Sequence, residues 1–263
     1  MAKSKIFLSE GDDPEMLAAF EEARATFRYF WRELAWERRR IIPGLDLAAI
    51  KAPFSDEGKK TTKKKAAPGA PKVEQMWVQD VGFDGERVTG TLLNEPHHLT
   101  SIAAGDAVEL PLAELSDWMY VVGGEVQGAY TVNLLRARMG KKERAEHDAA
   151  WGLEFGDPAK IRLVPKSWKI DPDDEHPMSE NSGPPFREQL KADPSLASQP
   201  DELGWTLLHH QALAGSAATV QAILDAGAKP SPRTKDGKTP LSLARSLGWE
   251  RIVALLTRAG AKG

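Results

Sequence analysis

Gly204-Trp-Thr-Leu-Leu-His209 and Gly237-Lys-Thr-Pro-Leu-Ser242 open two copies of one sequence pattern, set 33 residues apart. The same offset relates Leu208 to Leu241, Gly215 to Gly248, Val220 to Val253, and Gly227-Ala228 to Gly260-Ala261. A fixed period with glycines in matching places is the mark of stacked supersecondary units, each too small to bury its own apolar face. The last third of the chain is therefore read as a helical array.

Period and phrasing resemble ankyrin repeats, whose length is about 33 residues. The resemblance implies that each Thr caps a first short helix, with Pro240 at the first helical position, where its missing N–H does no harm. Leu208 and Leu241 then point into the stack. Gly215 and Gly248 turn the chain into a second helix, and Gly227 and Gly260 end that helix in a left-handed conformation. Leu207 replaces the usual Pro, Gln211 stands where Ala is usual, and Ser242 stands where the first copy has His209. These departures are expected to weaken capping and packing locally. Phe186 to Leu196 resembles the second helix of a degenerate earlier unit, giving about two and a half repeats. Since roughly three repeats are needed for stability, the array is expected to lean on the rest of the chain through Phe186 and Leu190.

Upstream, Asp13-Pro14-Glu15 is a helix-start signal, and Met16, Leu17, Phe20, Ala23, Phe27, Phe30, Trp31 and Leu34 follow at helical spacing. Arg38 to Arg40 suit the negative end of that helix. Strand patterns follow at Leu47 to Phe54, Val73 to Val81, Arg87 to Leu93, Ala107 to Leu110, Ser116 to Val122, Glu125 to Ala129 and Ile161 to Val164. The Asp84-Gly85 and Gly105-Asp106 pairs and Gly123-Gly124 mark the turns. Helices are expected at Thr131 to Arg138 and Lys141 to Trp151. The fold class is α+β: a small antiparallel sheet of four to six strands with flanking helices, followed by an all-α ankyrin-repeat segment. The expected divisions are a domain over 12–165, an irregular linker over 166–185, and repeats over 186–263.

Several phrases in order, among them Arg24-Ala-Thr-Phe-Arg-Tyr-Phe-Trp31, Phe83-Asp-Gly-Glu-Arg-Val-Thr-Gly90, Asn94-Glu-Pro96, Ser116-Asp-Trp-Met-Tyr120 and Gly128-Ala-Tyr130, resemble the bacterial family DUF2314 over about residues 20 to 158. The resemblance implies a domain signature and no activity. The chain departs from it by Gly128-Ala129 where a Gly pair is usual and by a lysine-rich insertion before Val73.

Composition narrows the chemistry. At 263 residues with 41% hydrophobic and 28% charged residues, the chain is long enough for two cores and is not of disordered composition. A formal net charge of −3 gives no global field for nucleic acid. Lys59 to Lys65 is read as a solvated loop, because it has no interleaved aromatic to stack on bases. The chain has no cysteine, so disulfides, thiol nucleophiles and cysteine-held metals are excluded. No apolar run approaches the roughly 20 residues of a membrane helix, and the expected compartment is the cytoplasm.

His97-His98 and His147-Asp148 lack metal-ligand spacing, and no phosphate loop or nucleophile elbow occurs. No cofactor or metal is expected. Asn94, Asp84 and Asp106 read as turn residues, and Trp31, Trp77 and Trp151 as core. The leading reading is a non-catalytic protein-binding protein of the bacterial cytoplasm, in its most specific form an immunity or chaperone-like partner of a secreted toxin. Trp205 is read either as packed against the partial repeat upstream or as an exposed anchor at the edge of the concave face, and in the second case His210, Asp201, Glu202, Arg233 and Lys235 surround it as the binding residues. The competing reading is an enzyme or small-ligand binder centred on Asp117, Trp118 and Tyr130, where a carboxylate stands in a strand beside aromatics.

Overall fold

The computed structural model describes residues 13–57 and 73–262, and the lysine-rich stretch lies outside them. It holds a six-stranded antiparallel sheet and eight α-helices among those residues. Contacts divide the chain into two compact units, Met1–Phe30 with Ile41–Pro165, and Trp31–Arg40 with Lys166–Gly263. The division falls inside the first helix, α1 (Pro14–Glu37).

In the first unit, β1 (Leu47–Ser55), β2 (Val73–Phe83), β3 (Arg87–Leu92), β4 (Ala107–Pro111), β5 (Asp117–Val122) and β6 (Glu125–Gly128) lie in the order β4-β3-β2-β1-β5-β6. Along β2, Met76 and Val78, and then Val81 and Phe83 beyond a register shift between Gln79 and Gly82, enter the core. Phe27 and Phe30 of α1 are buried, Phe27 meeting Phe83 edge-on at 5.2 Å. Asp13 starts α1 as read, its Oδ1 accepting from the N–H of Glu15 at 3.1 Å. On the other face, Met119, Val121, Val126, Ala129, Val132 and Phe155 form a second core layer. It joins the sheet to α2 (Tyr130–Arg138), which α3 (Lys141–Trp151) follows.

Two expectations fail here. Ile161 to Val164 is not a strand. It follows β6 irregularly, held by Gly128 N–H donating to Arg162 O at 2.8 Å and by Tyr120 Oη donating to Leu163 O at 2.8 Å. Trp151, expected in the core, is 39% exposed at the end of α3. The turn before α2 is tight: a Cβ on Gly128 would stand 2.4 Å from Trp118 O and Cε3, and its φ is +74°. Ala129 follows at φ 58°, left-handed although it carries a Cβ.

The second unit repeats itself bond by bond. α5 (Leu207–Leu213) and α6 (Ala217–Asp225) recur as α7 (Pro240–Ser246) and α8 (Glu250–Arg258). Asp201 N–H donates to Trp205 O at 2.8 Å, and Thr234 N–H donates to Lys238 O at 3.0 Å; Ser216 N–H to Gln211 O matches Trp249 N–H to Ala244 O. Gly204 and Gly237 sit at φ +82° and +85°. Gly204 also lies close to the next unit, where an added Cβ would stand 3.1 Å from Thr234 Cα.

The substituted positions are not weak. Ser242 completes a reciprocal cap, its N–H donating to Thr239 Oγ1 at 3.1 Å while Thr239 N–H donates to Ser242 Oγ at 2.9 Å. Gln211 Oε1 accepts from Thr219 Oγ1 at 2.8 Å and from Arg39 Nη1 at 3.1 Å. The expected linker over 166–185 is helical from Pro177, because α4 (Pro177–Ala192) has Pro at its first position and a cap in His176, whose Nδ1 accepts from Met178 N–H at 3.0 Å. Leu190 is buried within this unit, and α4 packs on α6. Support for the array comes from the last turns of α1 instead: Arg32 Nη1 donates to Pro172 O at 2.9 Å and its guanidinium lies 5.7 Å from the Trp249 ring.

Candidate functional site

The sheet unit brings Asp117, Trp118 and Tyr130 together around the start of α2. Lys51 faces Trp77 on one neighbouring strand and Asp117 on the other. Asp117 is fully buried. Its Oδ1 accepts from the N–H of Trp118 at 2.8 Å and of Tyr130 at 2.9 Å, and its Oδ2 from Thr131 N–H at 2.8 Å and Thr131 Oγ1 at 2.6 Å. Thr131 Oγ1 in turn accepts from Lys51 Nζ at 3.0 Å, and Lys51 lies over the Trp77 ring at 4.9 Å. Burial pushes the Asp117 carboxyl up, opposed by Lys51 and by these donors. Burial pushes the Lys51 ammonium down, opposed by Asp117.

Four donors fill the lone-pair positions of one carboxylate. Asp117 thus anchors orphan N–H groups at the N-terminus of α2, where negative charge is favoured. Trp118 is equally committed: its Nε1 donates to Ala23 O at 2.9 Å, and its ring stacks on Tyr120 at 6.1 Å. Tyr130 Oη pairs with Thr26 Oγ1 at 2.7 Å. Burial raises the Tyr130 hydroxyl far above its usual range, which keeps it protonated.

Other polar residues serve the frame. Asn94 Oδ1 accepts from Trp77 N–H at 3.0 Å, and Asp84 and Asp106 accept within their turns. Glu74 accepts from the N–H groups of His97, His98 and Leu99. Sequence reasoning missed Arg136, buried with its fork on Asp148 at 2.7 and 2.6 Å and its guanidinium over Phe155 at 5.0 Å. Among the described residues no group of three or more His, Asp or Glu is placed to hold a metal ion.

In the helical unit the expected binding residues do converge. Lys235 N–H donates to Leu203 O at 2.9 Å, which sets the Asp201-Glu202 turn beside Arg233 and Lys235. Arg233 Nη1 braces its own turn through Gly237 O at 3.0 Å. Asp201 Oδ1 accepts from the N–H of Leu203 at 2.9 Å and of Trp205 at 2.8 Å. Trp205 is half-buried, stacked against exposed His210 with ring centroids 5.0 Å apart. Both line a shallow cleft of about 340 Å³ with Leu196, Pro200, Asp201 and Leu207. Leu203, at the turn, is 63% exposed.

The helical unit also holds a buried pair the sequence did not reveal. Glu33 of α1 takes His176 Nε2 at 3.0 Å and Arg40 Nη2 at 2.8 Å, with Glu33 1% and His176 0% exposed. His176 stacks on Trp36 at 5.6 Å and meets Trp168 edge-on at 4.7 Å. Because Nδ1 accepts from Met178, Nε2 carries the proton and donates to Glu33. His209 is held the same way: Thr206 N–H donates to its Nδ1 at 3.0 Å, and its Nε2 reaches Lys238 O at 3.3 Å.

Burial pushes both imidazoles below their usual value of 6.5. As pH falls, the unfolded chain therefore protonates first. The stability from neutral burial is complete above about pH 6.5. It is lost as pH falls from there toward the folded-state values, at up to about 1.4 kcal/mol per pH unit for each histidine. The urea midpoint is expected to drop between pH 7 and pH 5, and less so in His176→Gln. The carboxyls of Asp13, Asp148 and Asp236 are held low and titrate below this window. Asp117, raised by burial, acts in the opposite sense. Identical pH profiles for the variant and the parent would refute the assignment.

Residues 13–155 match the family described as "Uncharacterized protein conserved in bacteria (DUF2314)", and the chain belongs to it. Over 258 residues it is 43% identical to "Putative ankyrin repeat protein NMB1133/NMB1171" of Neisseria meningitidis serogroup B, an alignment spanning 97% of this chain and 98% of that one. "Uncharacterized protein YegJ" of Escherichia coli K12 is 29% identical over 101 residues, 38% of this chain and 58% of its own. "Putative ankyrin repeat protein YahD" of the same strain is 42% identical over 69 residues, 24% of this chain and 34% of its own.

Proposed function

We propose that the protein is a non-catalytic binder of another protein, and that paired helices of the ankyrin type present its binding surface. The observation that carries this reading is the half-buried Trp205 in an open cleft, framed by two turns of opposite charge on a unit that repeats bond by bond. Aromatic residues set in such a polar rim are the usual energetic centres of protein interfaces. The ankyrin names of two relatives support it. The saturated carboxylate of Asp117, by contrast, has no lone pair left for a ligand, so its neighbourhood is best read as framework.

Affinity purification from the native host, with identification of what co-elutes, supplies the partner and tests the narrower reading of an immunity or chaperone-like partner of a secreted toxin. With that partner in hand, Trp205→Ala is expected to weaken binding by about 2 kcal/mol or more. The thermal midpoint should change little. Charge reversal at Arg233 and Lys235 is expected to slow association and alter its salt dependence. Unchanged affinity in both variants would place the interface elsewhere.

A further inference from the structure

We infer that the cleft beside Trp205 receives the guanidinium of an arginine on the partner protein; this deepens the protein-binding reading and rests on it. Four features of the cleft point the same way.

The first is a carboxylate fixed in place with one oxygen idle. Asp201 Oδ1 is engaged by the N–H groups of Leu203 and Trp205, while Oδ2 has no partner among the described residues. Those two bonds hold the carboxylate at the root of the indole. The second is Glu202, next in the chain, exposed and without an ion pair among the described residues. The third is the aromatic wall. His210 stacks against Trp205 with an interplanar angle of 29°, and Trp205 Nε1 has no acceptor among the described residues. The fourth is that His210, though exposed at its edge, is desolvated enough where it packs that its imidazole is pushed down, while Asp201 pulls it up.

The cation that His210 feels most is Arg39, and it is tethered: Nη1 bonds Gln211 Oε1 at 3.1 Å and the guanidinium lies over Trp36 at 4.9 Å. The cleft therefore offers one carboxylate with an idle oxygen, Asp201, with Glu202 next to it in the chain, while Arg39 is committed elsewhere. An arginine suits it better than a lysine, because a planar fork can stack along an indole and donate to a carboxylate at once. A long basic run does not suit it. Arg233 and Lys235 stand on the adjoining turn, so the partner's arginine is flanked by neutral or acidic residues.

The test uses the full chain, labelled with ¹⁵N, and N-acetyl-arginine methylamide as probe. The Trp205 Nε1–H resonance, identified by its loss in Trp205→Phe, is expected to shift and saturate in the millimolar range. Asp201→Asn keeps the Oδ1 acceptor of the turn and removes the charge, so it should fold normally and bind the probe roughly fivefold more weakly. The lysine analogue should bind more weakly than arginine, and the norleucine, proline and glutamate analogues should leave the resonance unmoved. Equal binding of norleucine or proline would make the cleft an apolar socket and overturn the inference, as would no shift with arginine. If arginine fails yet Trp205→Ala still weakens the natural partner, only the chemistry of the occupant is wrong. If Trp205→Ala leaves the partner's affinity unchanged, the protein-binding reading fails, and this inference fails with it.

Discussion

Replacing Asp117 with alanine is expected to cost the sheet unit about 3–5 kcal/mol, a large part of the roughly 5–15 kcal/mol that holds a typical domain folded. The side chain lost is small, so the effect does not come from packing. It comes from the partners left behind: the N–H groups of Trp118, Tyr130 and Thr131, the Thr131 hydroxyl and, through it, the Lys51 ammonium. Each is buried or nearly so, and an unmade hydrogen bond in that setting costs far more than a made one contributes. Asp117→Asn should also be strongly destabilising. Its Oδ1 can serve one pair of donors, but its NH₂ then faces the Thr131 N–H, donor against donor, and the Thr131 hydroxyl loses its acceptor. Lys51→Met should cost less, since it removes one charge and leaves the carboxylate all four of its donors. Urea unfolding followed by tryptophan fluorescence reads all three. A variant Asp117→Ala with the parent's midpoint would show that water replaces the carboxylate, and the site would then have to be reconsidered as one open to solvent and ligands.

What could be read in advance was whatever has a local cause. The array was legible because a 33-residue step recurs with glycines at the same turns, and each of those glycines has a positive φ that few other residues adopt without strain. The strands were legible because β2 alternates core and surface on either side of its register shift, and Asp84-Gly85 and Gly123-Gly124 turn the chain where the hairpins need it. The linker misled because Pro, Ser and Asp at 166–185 suggest irregular chain, whereas Pro177 begins a helix as readily as it ends one. The role of Asp117 stayed open because a carboxylate beside a Trp looks the same in sequence whether it binds a ligand or a helix end. Only the four donor distances separate the two.

Glu33 illustrates the contacts that leave no local trace, and it carries the second large effect. Glu33→Ala is expected to destabilise the helical unit by about 3 kcal/mol or more, although it lies 143 residues from its partner His176 in the chain. The substitution strands the Nε2–H of a fully buried imidazole and frees Arg40 from one of its two carboxylates, the other being Glu37 at 2.7 Å. His176 caps α4, so a displaced ring also uncovers the Met178 N–H. Glu33→Gln keeps an oxygen for one of the two donors and should cost roughly half as much. Exposed pairs such as Lys191 with Glu188 should by comparison contribute less than about 1 kcal/mol. Amide hydrogen exchange is the decisive reading, because it reports where protection is lost. In Glu33→Ala the loss should extend through α4 and into α5 and α6, because α4 packs on α6 and α6 on α5. Should protection fall only within α1, the array is self-sufficient, and the buried pair with His176 is a consequence of its folding and not a condition for it.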